Sequence, residues 1–236
     1  VKALESLCSL TLKAYKGTNT KTDADVKEVI KDFEMLIHIG GTCERYCLMG
    51  SAYKTLFQKT ATNKAKTEAL EKAAHNYYLA FTIAKQAGSG IIYPLSNWLQ
   101  LESILILIKN NKTYQWGQNS VYGYELPKSK TAIGWMDKAL AESRKTDVDL
   151  QYWNLMERGN VLLTKLCVEP TGVVKEADVI EAIKEAWETG GSKIKKDSEV
   201  EHLEFVIDAL KMTKETKAHK LEKSLEKILN ELKEFE

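Results

Sequence analysis

The sequence predicts an all-α protein built of packed helix pairs. Apolar residues recur three and four apart over most of the chain, the period of one helix face. Only three prolines interrupt it, Pro94, Pro127 and Pro170, and each falls beside an expected helix boundary. A spacing of large aromatic, apolar residue, glycine and tyrosine also appears at Tyr46, Met49, Gly50 and Tyr53, and its aromatic–apolar opening returns twice downstream.

The first clear helix runs from Asp23 to Ile39, with Val26, Val29, Ile30, Phe33, Leu36 and Ile37 on one side, and Gly40 and Gly41 close it. The next helix holds the Tyr46–Tyr53 group. There the missing side chain of Gly50 lets a second helix come close, and the aromatics fill the space between the pair. This is the pattern of the first helix of a tetratricopeptide (TPR) repeat. Ala73, Tyr77 and Ala80 supply the small–aromatic–small pattern expected of its partner, after a linker about eleven residues longer than the standard repeat allows.

A second repeat begins at Trp98, Leu101 and Leu105 and is completed by Ala132, Met136 and Ala139. A third begins at Tyr152 or Trp153 with Leu155 and Met156 and is completed by Ala182 and Ala186. The starts at Tyr46, Trp98 and Trp153 lie 52 and 55 residues apart, against the usual 34. The excess falls in segments such as Asn110 to Lys130, whose Gly, Asn, Tyr and Trp content marks a structured insertion. At the C-terminus, Ala218, Leu221, Leu225, Ile228, Leu232 and Phe235 form a short heptad seam among Lys and Glu. It packs on its own domain or serves as a dimer interface that makes a homo-oligomer. The expected fold is thus a TPR-like helical-repeat solenoid of about three helix pairs with long insertions and a C-terminal amphipathic helix. Its divisions are N-terminal helices over 1–41, repeats over 42–212 and the C-terminal helix over 213–236.

Composition narrows the function. Net charge is +1, from 34 basic and 33 acidic residues, whereas recognition of DNA or RNA needs a clear basic excess. No run approaches the roughly 18 apolar residues of a membrane span, and no signal peptide is visible, so a cytoplasmic protein without a membrane partner is expected. The chain opens on Val1, which reads as a piece of a longer protein with room for an effector domain elsewhere. Cys43 and Cys47 sit one helical turn apart, but no second Cys or His pair follows to complete a metal site. Cys8, Cys43, Cys47 and Cys167 are therefore expected to be reduced thiols, and no metal or other cofactor is expected. No phosphate-cradling glycine loop, HExxH or GxSxG motif occurs, so binding is expected and catalysis is not.

The first helix of each TPR-like pair lines the concave face of such arrays, which is where ligand residues belong. Arg45 and Arg158 fall on first helices, and guanidinium groups suit phosphate or carboxylate. Lys54 follows Arg45 by nine residues and need not share its face. Tyr93, Pro94, Ser96, Asn97 and Trp98 form a second candidate, in which Ser96 or Asn97 either caps a helix or presents a polar group to a base or ribose. Tyr152, Trp153 and Asn154 with Glu157 and Arg158 form the third, where Trp153 either packs in the core or stacks on a flat ring.

Three ordered stretches, ERYCLMGSAYKTL (44–56), IIYPLSNWLQLESIL (91–105) and LQYWNLMERGNVLL (150–163), resemble the TPR-sensor (TPR-S) domains of bacterial conflict systems, which are related to the TRAFs-binding region of apoptosis signal-regulating kinases. The matching residues are Gly50-Ser51-Ala52-Tyr53-Lys54, Tyr93-Pro94 with Asn97, and Tyr152-Trp153 with Glu157, and the resemblance spans about residues 40 to 210. The sequence departs from the family at Thr55, where Arg is common, and at Trp98, where the kinase branch has small residues. The resemblance implies a sensor for an ADP-ribose-like signal, such as a cyclic ADP-ribose isomer, made by a TIR-type partner. It also implies a fused or associated effector such as a caspase-like protease. Arg45 with Lys54 or Arg158 then faces phosphate, Asn97, Tyr93 and Trp153 face the base or ribose, and Trp98 and Glu157 complete the ligand-binding set. The alternative is a TPR scaffold that takes a peptide or a partner protein.

Overall fold

A computed structural model describes residues 2–16, 22–146 and 152–235. Val1, and Leu150 and Gln151 of the third motif stretch, lie outside them. Among the described residues there are ten α-helices and one isolated β-bridge, between Asn119 and Glu125. The all-helical class and the TPR-like pairing of helices hold. Contacts divide the chain into two compact units, Val1–Leu101 and Glu102–Glu236.

The N-terminal unit contains α1 (Lys2–Lys16), α2 (Asp23–Ile39), α3 (Cys43–Lys59), α4 (Asn63–Ala87) and the first part of α5 (Ile92–Lys109). Its helix starts are encoded locally. Thr22 and Asp25 form a capping box, and the hydroxyls of Thr42 and Thr62 accept from the backbone N–H of Arg45 and Ala65. Gly88 ends α4 in the left-handed conformation, with φ of 70°. α1, α2 and α3 pack mutually, and α3 pairs with α4. The extra length of this repeat is not a linker after Tyr53. α3 runs on to Lys59 and only residues 60–62 precede α4, whose 25 residues carry the surplus as helix.

At the α3–α4 contact, Ala73, Tyr77 and Ala80 are fully buried. A Cβ on Gly50 would stand 2.6 Å from the Tyr77 ring, so the glycine is required by close approach. α5 is buried on every side from Pro94 to Leu105, as befits a helix that is apolar all round. Its first residue is Ile92, which puts Pro94 in the first turn, where no N–H is needed. Ser96 and Asn97 therefore lie inside the helix, and neither caps it.

The C-terminal unit contains the rest of α5, then α6 (Ser129–Thr146), α7 (Tyr152–Val168), α8 (Glu176–Gly190), α9 (Lys193–Leu210) and α10 (Thr216–Lys233). The insertion expected over 110–130 occupies residues 110–128. It is held by hydrogen bonds from Tyr114 and Tyr124 to the buried Glu102 carboxylate, at 2.6 and 2.5 Å. α7 pairs with α8 by the device used at Gly50: a Cβ on Gly159 would meet Ile183 at 3.1 Å. α10 lays its seam of Ala218, Leu221, Leu225, Ile228 and Leu232 against α8 and α9. The C-terminal seam thus packs within its own unit, and α9 with α10 forms a further helix pair that the sequence reading did not separate out.

Gly50→Ala is expected to lower stability by about 1–3 kcal/mol, the usual cost of overpacking. Gly134 lies on α6, and a Cβ there meets nothing within 4 Å. Gly134→Ala is therefore expected to raise stability by about 0.5–1 kcal/mol. Urea denaturation of the two variants measures both signs.

Candidate functional site

Four residues of α3 at positions 43, 47, 50 and 54 share one helix face, since steps of three and four return to the same side. Along it lie Cys43, Cys47, Gly50 and Lys54. Tyr77 of α4 closes over Gly50, and Tyr93 of α5 meets the Tyr77 ring edge-on, with centroids 6.1 Å apart. One turn further along α5, Asn97 Oδ1 accepts a hydrogen bond from Lys54 Nζ at 3.2 Å. The same amide donates to the Tyr93 carbonyl at 3.0 Å, which fixes its orientation. Asn97 is buried, while the Tyr93 ring is 54% exposed. Lys54 from the first motif and Tyr93 and Asn97 from the second thus come together as an ammonium, a half-exposed aromatic residue and an anchored amide.

Burial raises the Tyr77 phenol well above its usual pKa, so that side chain is a neutral wall of the site. Cys47 lies close enough to act on the same phenol. Tyr77 and Cys47 were not among the expected ligand residues. Tyr77 reads from sequence as core, and the distance between α3 and the start of α5 hides the cluster.

Arg45 occupies a different role. Its Nε pairs with Glu5 of α1 at 2.5 Å, and Nη1 donates to the carbonyls of Leu36, at 3.0 Å, and Gly40. The guanidinium is buried and clamps α1 and the last turn of α2 to α3. Trp98 is likewise internal, 5.4 Å from the Phe81 ring and 5.0 Å from that of Tyr78. Thr55, where family members often carry Arg, is fully buried and donates to the Ser51 carbonyl at 3.1 Å. A cation at that position would have to leave the helix interface.

The remaining named residues belong to α7 in the C-terminal unit. Arg158 pairs with Glu185 of α8 at 2.8 Å, and Glu157 accepts a hydrogen bond from Ser143 of α6. Trp153 is 50% exposed and stands edge-on to the buried Tyr152 ring, which also takes Lys195 Nζ at 4.5 Å from its centroid. Burial raises the Tyr152 phenol too. Among the described residues, no group of three or more His, Cys, Asp or Glu side chains could hold a metal ion. No helix among them is long and apolar enough to cross a membrane.

Residues 2–102 match the family model for Tetratricopeptide Repeats-Sensor, TPR-S. No curated protein and no solved structure matches the chain. The match ends within one residue of the end of the N-terminal unit, so the likeness to TPR-sensor domains is carried by that unit. The sequence resemblance spans about residues 40 to 210, and its part beyond residue 102 lies outside the match. It contains the first motif whole and most of the second, and with them Lys54, Tyr93 and Asn97.

Arg45→Ala would take the guanidinium donor from the Glu5 carboxylate and the Gly40 carbonyl, and leave the Leu36 carbonyl with the Gly40 N–H alone. An expected loss of about 3 kcal/mol follows, and Arg45→Lys is expected to recover only part of it because the fork of donors is gone. Guanidinium denaturation of the three proteins reads both effects.

Proposed function

We propose that this chain is the ligand-sensing regulatory domain of a bacterial immune effector. It binds a nucleotide-derived, ADP-ribose-like second messenger, such as a cyclic ADP-ribose isomer, and switches an attached effector. The observation that carries the reading is the Lys54–Asn97 hydrogen bond one turn from the half-exposed Tyr93, inside the stretch that matches the sensor family. Lys54 supplies charge to a phosphate. Asn97 offers donor and acceptor to a ribose or base edge, and Tyr93 offers a face for stacking. Arg45 is left out of the ligand set because its donors hold α1 and α2. The role is binding without catalysis.

Switching then needs no chemistry in this domain. A ligand that prefers one arrangement of the helices draws the population toward it, by no more than its difference in affinity between the two. The signal producer in this reading is a TIR-type enzyme, and the effector is a caspase-like protease or another toxic activity. A scaffold that takes a peptide or protein is the second reading. What favours it is Leu7 and Leu10 on α1 and Met35 and Ile39 on α2, large apolar side chains from 55 to 67% exposed.

The test is a thermal-shift and calorimetry panel of the domain with ADP-ribose, cyclic ADP-ribose isomers, cyclic dinucleotides and NAD. One ADP-ribose-type compound is expected to stabilise it saturably, by about 2.7 kcal/mol at a hundredfold excess over Kd. Lys54→Ala is expected to weaken that compound roughly tenfold to a hundredfold, the worth of a hydrogen bond to a charged group. Lys138→Ala, on the exposed face of α6, should leave it unchanged. Binding that survives Lys54→Ala and Asn97→Ala sinks the site, and no shift with any compound transfers the proposal to the scaffold reading.

A further inference from the structure

Within the N-terminal unit, the buried stretch of α5 from Pro94 to Leu101 is apolar except for Ser96, Asn97 and Gln100. These follow Tyr93 by three, four and seven residues, the spacing of a single helix face. The half-exposed Tyr93 therefore heads a polar stripe that runs inward. Ser96 is 2% exposed, and its hydroxyl has no hydrogen-bond partner. We propose that Ser96 is a specificity-determining residue of the sensing site, whose hydroxyl forms a hydrogen bond with the ribose of the bound nucleotide. The inference deepens the nucleotide reading given above and rests on it.

The helix offers Ser96 a partner that it does not use. A serine or threonine inside a helix can donate to the carbonyl four residues back. The buried Thr55 and Thr164 do so, at 3.1 and 2.6 Å. Ser96 makes no such bond to Ile92. Alanine at this place would favour the helix more and would leave nothing unpaired. Serine thus costs stability in two ways, and a partner that supplies the missing bond accounts for it.

The neighbours of Ser96 indicate which part of a nucleotide belongs there. Tyr93, one turn nearer the helix start, is the aromatic residue at the surface. Asn97, next to Ser96, has its amide fixed by the Tyr93 carbonyl, and its Oδ1 accepts from Lys54 Nζ at 3.2 Å. Aromatic ring, hydroxyl with amide, and ammonium thus follow one another as base, ribose and phosphate do in a nucleotide. A ribose hydroxyl both donates and accepts, as the Ser96 hydroxyl does, so each can serve the other. Because Ser96 is buried, the sugar reaches it only as the side chains packed around it part. The ligand then gains a bond in the shifted arrangement that the packed one denies it, which is the difference in affinity that switching needs.

The experiment is calorimetry and thermal denaturation of the whole chain and of its Ser96→Ala variant. The probes are ADP-ribose and the cyclic ADP-ribose isomers, each beside its 2′-deoxy and 3′-deoxy forms. Without nucleotide, Ser96→Ala is expected to melt about 2–4 °C higher, because an unpaired buried group is gone. Its affinity for the probe that binds the wild-type chain is expected to fall roughly threefold to tenfold, the worth of one hydrogen bond. One deoxy form should show the same loss on the wild-type chain and no further loss on Ser96→Ala, since the two changes remove one contact. A lower melting temperature for Ser96→Ala shows that the hydroxyl has a partner inside the protein, and overturns the proposal. So does an unchanged affinity, a wild-type chain that binds both deoxy forms as well as the parent, or losses that simply add. In those cases a weakened Lys54→Ala leaves the nucleotide reading standing. No binding of any probe to the wild-type chain overturns both.

Discussion

The close approach of two helices at a glycine is the constraint on which this protein rests. At Gly50 the missing Cβ leaves just enough room for the Tyr77 ring, and a methyl there would sit at 2.6 Å. Because Tyr77 seats in that gap, it can also meet the edge of Tyr93, and the start of α5 is held against the α3–α4 pair. The position of Asn97 opposite Lys54 follows from that docking, since Asn97 lies one turn beyond Tyr93. The C-terminal unit repeats the device at lower cost. Gly159 faces Ile183 at 3.1 Å, a separation that a flexible aliphatic side chain can relieve more readily than a buried ring.

Much of this was legible. The boundaries of α2, the 110–128 insertion and the pairing of α3 with α4 follow from periodicity, glycine placement and the small–aromatic–small spacing, all of them short-range. What was not legible depends on partners remote in sequence. Arg45 carries the residue type expected of a phosphate ligand, yet its partners are Glu5 and two carbonyls at the end of α2. Nothing in residues 42–56 indicates that those acceptors converge on it. Trp98 was expected to bind ligand, but Tyr78 and Phe81 of α4 enclose it. α9 escaped separate notice because its first third, Lys193–Ser198, is nearly all polar and only the segment from Leu203 to Leu210 is core.

The polar residues of α5 explain why that helix can be buried without being inert. An unpaired buried polar atom costs roughly 1–3 kcal/mol, a cost the buried Ser96 hydroxyl bears without a hydrogen-bond partner, whereas the larger polar groups of the helix are satisfied. Asn97 is satisfied by Lys54 and by the Tyr93 carbonyl. Glu102 is satisfied by two phenols of the insertion. These groups add little net stability compared with leucine at the same places, but they fix register: a slip of one residue would strand each of them. A helix fixed in register presents Tyr93 at one defined position, which is what a recognition surface requires.

That precision bears on how a sensor of this build responds. Lys54 and Asn97 already hold one another, so a ligand that uses both must exchange their mutual hydrogen bond for bonds to itself. The exchange costs little, since neutral–charged hydrogen bonds are replaced in kind. The surrounding walls, Gly50, Tyr77 and the buried stretch of α5, are too closely packed to deform continuously. In the proposed reading, binding at the α3–α5 contact is transmitted as a shift of whole helices. In that reading the helix most directly engaged besides α5 is α3, whose first turn carries the Arg45 clamp on α1 and α2. The proposed ligand site and the helix clamp thus share one rigid element, and a displacement of α3 at Lys54 is felt at Arg45 through the helix itself.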